Sequence, residues 1–296
     1  MSDSPRPRRV PKTVTVARTE SITRDLVRVH FSGAELEPPS YTDHYVKILF
    51  PPAGADYRWP FDPEELRETL PREQWPVTRT YTIRSYDPAR GELAIDFVVH
   101  GDAGLAGPWA ATVQPGESIG FLSPGGGWRP NPDADVHLLV GDESALPVIA
   151  AALEQLPDGA RALVFAEVAD ASAHVPLRVR PGVEVQWVHR DEVAAADSNA
   201  NGAGHGSAYG RGLVSAVRAA DWPDGVVEAF VHGNADMIRD LRRYLFLERQ
   251  VPRERASISG YWRSGQNEDA WQAGKRDFNA QMERDEADRA APQSLR

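Results

Sequence analysis

Apolar and polar residues alternate with a period of two through the first part of the chain. Residues 14–18 and 26–31 carry this pattern with turn chemistry between them. A third run, residues 44–50, places Val46, Ile48 and Phe50 on one face and Tyr45, Lys47 and Leu49 on the other. Residues 79–85 and 93–100 flank Asp87-Pro88-Ala89-Arg90-Gly91 and read as a hairpin; residues 118–122 follow the turn Gln114-Pro115-Gly116-Glu117. Six strands of this kind predict a small antiparallel barrel, interrupted by one short helix beginning near Gly107. Residues 51–76, with six prolines and the aromatics Tyr57, Trp59, Phe61 and Trp75, insert between the third and fourth strands. They read either as a rigid cover over one barrel edge or as a wall of a substrate cleft.

The period changes after a linker, residues 124–130. Buried-strand runs at 136–140, 162–168, 183–189, 226–232 and 256–261 are interleaved with helical patterns at 148–156, 212–219 and 237–248. That alternation predicts an open, doubly wound parallel sheet with helices on both faces. Residues 190–210, rich in Ala, Gly, Ser and Asn, read as a mobile surface loop, and 268–290 as a charged helix followed by disorder. The expected organisation is a disordered N-terminus (1–11), a β-barrel (12–124), a nucleotide-type α/β domain (132–266) and a charged C-terminal helix and tail (267–296).

Composition narrows the chemistry. The 296 residues suit two domains of ordinary size. With no cysteine, disulfides, thiolate nucleophiles, Cys-ligated iron–sulfur clusters and covalent c-type haem are excluded. The eight histidines show no zinc-site spacing, so redox chemistry calls for a bound organic cofactor or a non-thiolate metal. A net charge of −10 argues against nucleic acid as the partner, although a local basic pocket can still hold a small anion. No apolar run is long enough for a membrane span, and Arg8-Arg9 is not followed by the apolar stretch of an export signal. The expected setting is the cytoplasm.

The candidate chemistry centres on Arg79-Thr80-Tyr81-Thr82. A flavin needs a flat aromatic against its ring, a donor near its reactive nitrogen, and a cation or helix N-terminus for its pyrophosphate. Tyr81, Thr82 and Arg79 are the right types, and Gly107-Pro108 suits the first turn of a helix. Each piece also has a plain reading: an amphipathic strand with an exposed arginine, a core Trp109, a strand-end His100, a solvated Lys47.

The motifs occur in a telling order. Arg79-Thr80-Tyr81-Thr82, Asp96-Phe97-Val98-Val99-His100-Gly101-Asp102, Gly107-Pro108-Trp109-Ala110, Gly141-Asp142-Glu143-Ser144-Ala145-Leu146-Pro147, His232-Gly233 and Gly260-Tyr261-Trp262-Arg263 follow one another. A barrel followed by an α/β domain resembles the ferredoxin–NADP reductase superfamily. The ordered motifs resemble, within it, the siderophore-interacting proteins, bacterial FAD-dependent ferric-siderophore reductases of iron uptake. The resemblance spans residues 12–275.

It implies FAD held by Arg79, Tyr81 and Thr82. It also implies contacts to the ribityl and adenosine part, largely through backbone, at Asp96, Val98 and His100, and to the pyrophosphate at Ala106, Gly107, Trp109 and Ala110. NADH, NADPH or reduced ferredoxin would supply electrons, with Gly141, Ser144, Pro147, His232 and Gly233 on the nicotinamide side. The 141–147 turn departs from the Gly-x-Gly-x-x-Gly fingerprint, so tight stand-alone nicotinamide binding does not follow. Asp142 and Glu143 would repel a pyrophosphate, and Glu167 and Asp170 would repel a 2′-phosphate, which favours NADH over NADPH.

Lys47 and Arg263 match the basic positions that line the family's siderophore cleft, and Arg129 follows the loop where a third cation often stands. Glycines 125–127 occupy that loop here, which makes hydroxamate or mixed chelates at least as well suited as a tri-anionic catecholate. No side chain is required as a catalytic acid or base, because electrons pass through the flavin. Two other readings stay open: a general flavin or ferredoxin-type reductase on the same fold, and a non-catalytic siderophore-binding module.

Overall fold

Every strand of the N-terminal unit has an antiparallel neighbour on each side in the computed structural model. Residues 10–37, 40–99, 104–201 and 209–290 are described; the expected disorder before residue 10 and after residue 290 lies outside them, as does His100. The chain divides into two units, Met1–Arg129 and Pro130–Arg296.

In the first unit, β1 (Lys12–Thr23), β2 (Leu26–Ser32), β3 (Tyr45–Phe50), β4 (Val77–Asp87), β5 (Glu92–Val98) and β6 (Ser118–Gly125) close a barrel in the order β1-β2-β5-β4-β3-β6. The alternation does what it predicts. Val14, Val16, Val29, Phe31, Val46, Ile48, Ile95, Phe97 and Phe121 point inward and are buried in one core. A buried aromatic or branched side chain of this kind contributes about 1.5–3 kcal/mol. The β4–β5 turn is fixed by Asp87, whose Oδ1 accepts from the N–H groups of Ala89 and Arg90.

Three details differ from the sequence reading. β1 runs on through Thr19-Glu20-Ser21, which look like turn residues, because the hairpin turns instead at Arg24-Asp25 between Thr23 and Leu26. Pro124 and Gly125 belong to β6 rather than to a linker, and the division between units falls after Arg129. The insertion is partly helical: α1 (Pro63–Thr69) is capped by Asp62, whose Oδ1 accepts from Glu64 N–H at 2.9 Å. Its Trp59 ring fills the space above Gly120 of β6, so the insertion covers the barrel's outer face there. A second short helix, α2 (Ala106–Thr112), joins β5 to β6.

The second unit is a five-stranded parallel sheet in the order β11-β10-β7-β8-β9. Its strands are β7 (Val136–Gly141), β8 (Arg161–Val168), β9 (Val183–His189), β10 (Val227–Asn234) and β11 (Ala256–Trp262). Its helices are α3 (Leu146–Gln155), α4 (Arg190–Asn201), α5 (Arg211–Ala219), α6 (Ala235–Arg243) and α7 (Glu268–Ala290). All six residues of β7 and all eight of β10 are buried, as central strands of a covered parallel sheet should be. The helix expected over 237–248 is α6 continued by a π-helical turn, Tyr244–Glu248.

α4 corrects the loop expected over 190–210; residues 202–208 of that stretch lie outside the described ones. α7 forms over the expected residues but is no loose tail. Trp271 is buried against Gly260, Met282 packs in the core with α6, and Glu286 pairs with Arg242 and Arg253. Among the described residues no helix is long and apolar enough to cross a membrane.

Candidate functional site

β4 presents two rows. Arg79, Tyr81 and Ile83 lie on the inner face, with Arg79 and Tyr81 directly opposite the buried Ile48 and Val46 of β3. Thr80 and Thr82 lie on the outer face, opposite Lys47 and Tyr45. The half-buried Tyr81 ring sits 4.4 Å from that of Phe97, and Arg79 Nη1 donates to Thr78 O at 3.0 Å. One strand therefore carries a guanidinium, an aromatic ring fixed by core packing and a hydroxyl on the opposite side. That donor set fits a flavin.

The neighbouring elements divide into scaffold and candidate contacts. Asp96 of β5 is directly opposite Arg28 of β2 and accepts from its Nε and Nη2 at 2.6 and 2.9 Å. Its carboxylate thus serves as a strut of the barrel. Val98 closes β5 opposite Leu26. In α2, Ala106 and Ala110 are buried in the core, and a Cβ on Gly107 would come within 3.1 Å of Val98 O, so glycine lets the helix approach the strand. Trp109 takes the plain reading: its ring lies among Phe31, Phe50 and Phe97, with centroids 5.5–6.3 Å away. Lys47 makes no hydrogen bond or ion pair among the described residues, and the exposed Arg129 makes none either.

The crest of the parallel sheet is organised around a carboxylate. Strand order reverses between β7 and β10, the place where open α/β sheets take their ligands. Asp142, only 1% exposed, sits there; Asn234 N–H and Trp262 Nε1–H donate to its Oδ2 at 2.8 and 2.9 Å, and Ser144 donates from N and Oγ to its Oδ1. Burial pushes its pKa up against those hydrogen bonds. Gly233 packs on the same carboxylate at φ 137°, where a Cβ would be 2.5 Å from Oδ2. Gly141 and Pro147, both buried, shape the turn into α3. Ser144 is therefore spent on Asp142 rather than offered to a phosphate.

The other acids are also compensated. Glu143 pairs with both terminal nitrogens of Arg190. Glu167 is fully buried, accepts from Gly210 N–H at 3.0 Å, and has its pKa raised to about 7 by desolvation. Asp170 caps Ser172 through its N–H and hydroxyl. Glu167 is buried and does not present its carboxylate at the surface, whereas Asp170 is half-buried. His232 is stacked on Phe230 at 3.9 Å, lies 2.9 Å from Ser257 Oγ, and is pushed down to about 3 by burial and by Lys275. Arg263 is held by Asp236 at 3.3 Å and lies 5.1 Å over the Phe278 ring. The sequence could not show the Glu143–Arg190, Glu167–Gly210 and Arg263–Asp236 pairings, because each joins residues far apart along the chain.

Two family models match the chain in succession: a siderophore-interacting FAD-binding domain over residues 15–128 and a siderophore-interacting protein domain over residues 134–265. The ferric vibriobactin reductase of Vibrio cholerae is 31% identical over 88% of this chain and 92% of that protein. The chain belongs to the siderophore-interacting protein family. Solved members share its architecture. The siderophore-interacting protein SipS from Aeromonas hydrophila is 26% identical with a TM-score of 0.73, covering 92% of this chain and 99% of its own. A siderophore utilization protein from T. fusca is 33% identical with a TM-score of 0.69, covering 88% and 95%. The barrel-plus-parallel-sheet arrangement is the ferredoxin–NADP reductase-like fold, and the FAD-binding domain of the family is the barrel described above.

Proposed function

We propose that this protein holds FAD on its barrel and reduces the iron of a ferric siderophore, with the cytoplasm as its setting. The observation that carries the reading is β4, which places Arg79, Tyr81 and Thr82 within the residues matched by the FAD-binding domain. Bound FAD would take two electrons from its donor and release them one at a time, so two ferric chelates become two Fe(II). Fe(II) binds hard oxygen chelators more weakly than Fe(III), and reduction loosens the metal.

The chain's own residues bind and orient. Arg79 pairs with the pyrophosphate, Tyr81 lies against the flavin ring, and the Thr82 hydroxyl reaches the reactive nitrogen's edge. Ala106, Gly107 and the backbone of Asp96 and Val98 border the rest of the cofactor. Lys47 attracts an anionic chelate. Arg129 and Arg263 are further candidate cations, the latter partly engaged by Asp236. NADH, NADPH or reduced ferredoxin is the donor, with Gly141, Ser144, Pro147, His232 and Gly233 as candidate nicotinamide contacts; the engaged Ser144 and Asp142 favour weak nicotinamide binding.

The test begins with the visible spectrum of the purified protein and chromatography of the cofactor released by heat. Stoichiometric FAD, bleached anaerobically by one of the three donors and restored by a ferric chelate, is the expected result. Colourless folded protein, or FMN or riboflavin alone, overturns it.

A further inference from the structure

Arginine carries most of this chain's positive charge, and only three lysines stand in it: Lys12, Lys47 and Lys275. Lys275 lies in the second turn of α7 and is half-buried. Its Nζ donates to Ser259 Oγ of β11 at 3.2 Å, and it makes no ion pair among the described residues. The residues one turn to either side on α7, Trp271, Gln272, Phe278 and Asn279, are uncharged. Burial lowers the proton affinity of Lys275, and no carboxylate offsets that cost.

The strand beneath it carries a second unsatisfied group. β11 is an edge strand, and Ser257 and Ser259 alternate onto one face of it. Ser259 is directly opposite His232 of β10, and Ser257 is opposite Phe230. The His232 ring leans along Phe230, so its Nε2 meets Ser257 Oγ at 2.9 Å. The side chain is only 4% exposed, yet its Nδ1 has no hydrogen-bond partner. Lys275 is the charged group that acts on this ring, and it helps to keep the imidazole neutral. When the Ser257 hydroxyl donates to Nε2, the ring proton resides on Nδ1, which then needs an acceptor.

Buried polar groups are normally paired, and enclosed charges normally meet a counter-charge. A single group that is negative and accepts several hydrogen bonds would satisfy the ammonium, the Ser259 hydroxyl and the Nδ1–H together. We propose that Lys275, Ser259 and His232 form a binding site for a phosphate-type oxyanion, either free or carried by a nucleotide, with Ser257 setting the imidazole tautomer. The site is separate from the 141–147 turn, where Ser144 is held by Asp142. It uses no barrel residue, so it stands or falls independently of the flavin reading.

The experiment uses the full-length protein labelled with carbon-13 at lysine Cε. The three lysine signals are assigned from Lys12→Arg and Lys47→Arg, and each is titrated with pH in chloride and in inorganic phosphate at equal ionic strength. Lys275 is expected to titrate below the other two in chloride and to rise by about half a pH unit or more in phosphate, while the other two stay fixed. Calorimetric titration at neutral pH should show phosphate binding with a Kd of about 1 mM, weakened about 3- to 10-fold in Ser259→Ala and at least about tenfold in Lys275→Met. Lys275→Met keeps the aliphatic stem and removes an uncompensated charge, so its unfolding midpoint in chloride should equal or exceed that of the wild type. ADP that binds more tightly than phosphate, with the same dependence on Lys275, assigns the site to a nucleotide's phosphate; ADP that binds no more tightly assigns it to the free ion. Identical Lys275 titrations in chloride and phosphate overturn the site, as does a phosphate affinity unchanged in Lys275→Met.

Discussion

Lys47 and Arg263 reach the same expectation from the sequence and differ in the fold. Lys47 stands on the outer face of β3 with no ion-pair partner among the described residues, whereas Arg263 is tied to Asp236 and Phe278. Lys47→Ala is therefore expected to raise the KM for an anionic ferric chelate by about 5- to 150-fold, with FAD content intact and the effect shrinking as salt is added. Arg263→Ala should show a smaller and less salt-sensitive change. Steady-state reduction of charged and neutral chelates distinguishes the two.

Glu167 supplies a second residue-level prediction. Its folded pKa, about 7, lies above its ordinary 4.5, so the folded state holds an extra proton between those values. Relative to Glu167→Gln, wild-type stability should fall as pH rises through that window, by up to about 1.4 kcal/mol per pH unit. His232, lowered to about 3, has the opposite slope, but it is common to both proteins and cancels in the difference. Denaturant unfolding of both at pH 4.5, 5.5 and 6.5 measures it; a pH-independent difference would mean that Glu167 is ionised in the fold.

At the scale of elements, the strands were the legible part. Alternation alone located β2, β3, β4 and β5, and an apolar run ending in Gly141 located β7, because both patterns follow directly from which faces are buried. Cross-strand register was not legible, and with it went the Arg28–Asp96 strut and the Tyr45–Gly125 pairing. α4 was missed because Ala, Ser and Asn after Val193 look like loop, while its start is held by Arg190 reaching Glu143 from a distant turn. Of the candidate site, the β4 residues lie on one strand as read, while the packing of the Trp109 ring against Phe97 and the Arg28–Asp96 pair were not legible. β4 carries its own test. Arg79→Ala should yield pale protein with FAD occupancy reduced at least tenfold, since a charge-assisted partner of the phosphates is lost. Full occupancy would remove Arg79 from the cofactor site.

For the whole molecule, the C-terminal helix belongs to the second unit's core. Removing residues 267–296 would remove Trp271, Met282 and the Glu286 pairs. Loss of a buried tryptophan alone costs about 3–5 kcal/mol, so the truncated protein should unfold at markedly lower temperature. Thermal unfolding of the two proteins side by side decides it, and an unchanged midpoint would show α7 to be dispensable.

The central claim is electron transfer from a barrel-bound FAD to chelated iron. The most direct measurement photoreduces the FAD-loaded protein under argon, adds more than two equivalents of ferric siderophore per FAD, and counts trapped Fe(II) against flavin reoxidised. The account predicts full return of the oxidised flavin spectrum with two Fe(II) per FAD. Flavin that stays reduced in the presence of excess ferric chelate, with no Fe(II) trapped, would contradict it.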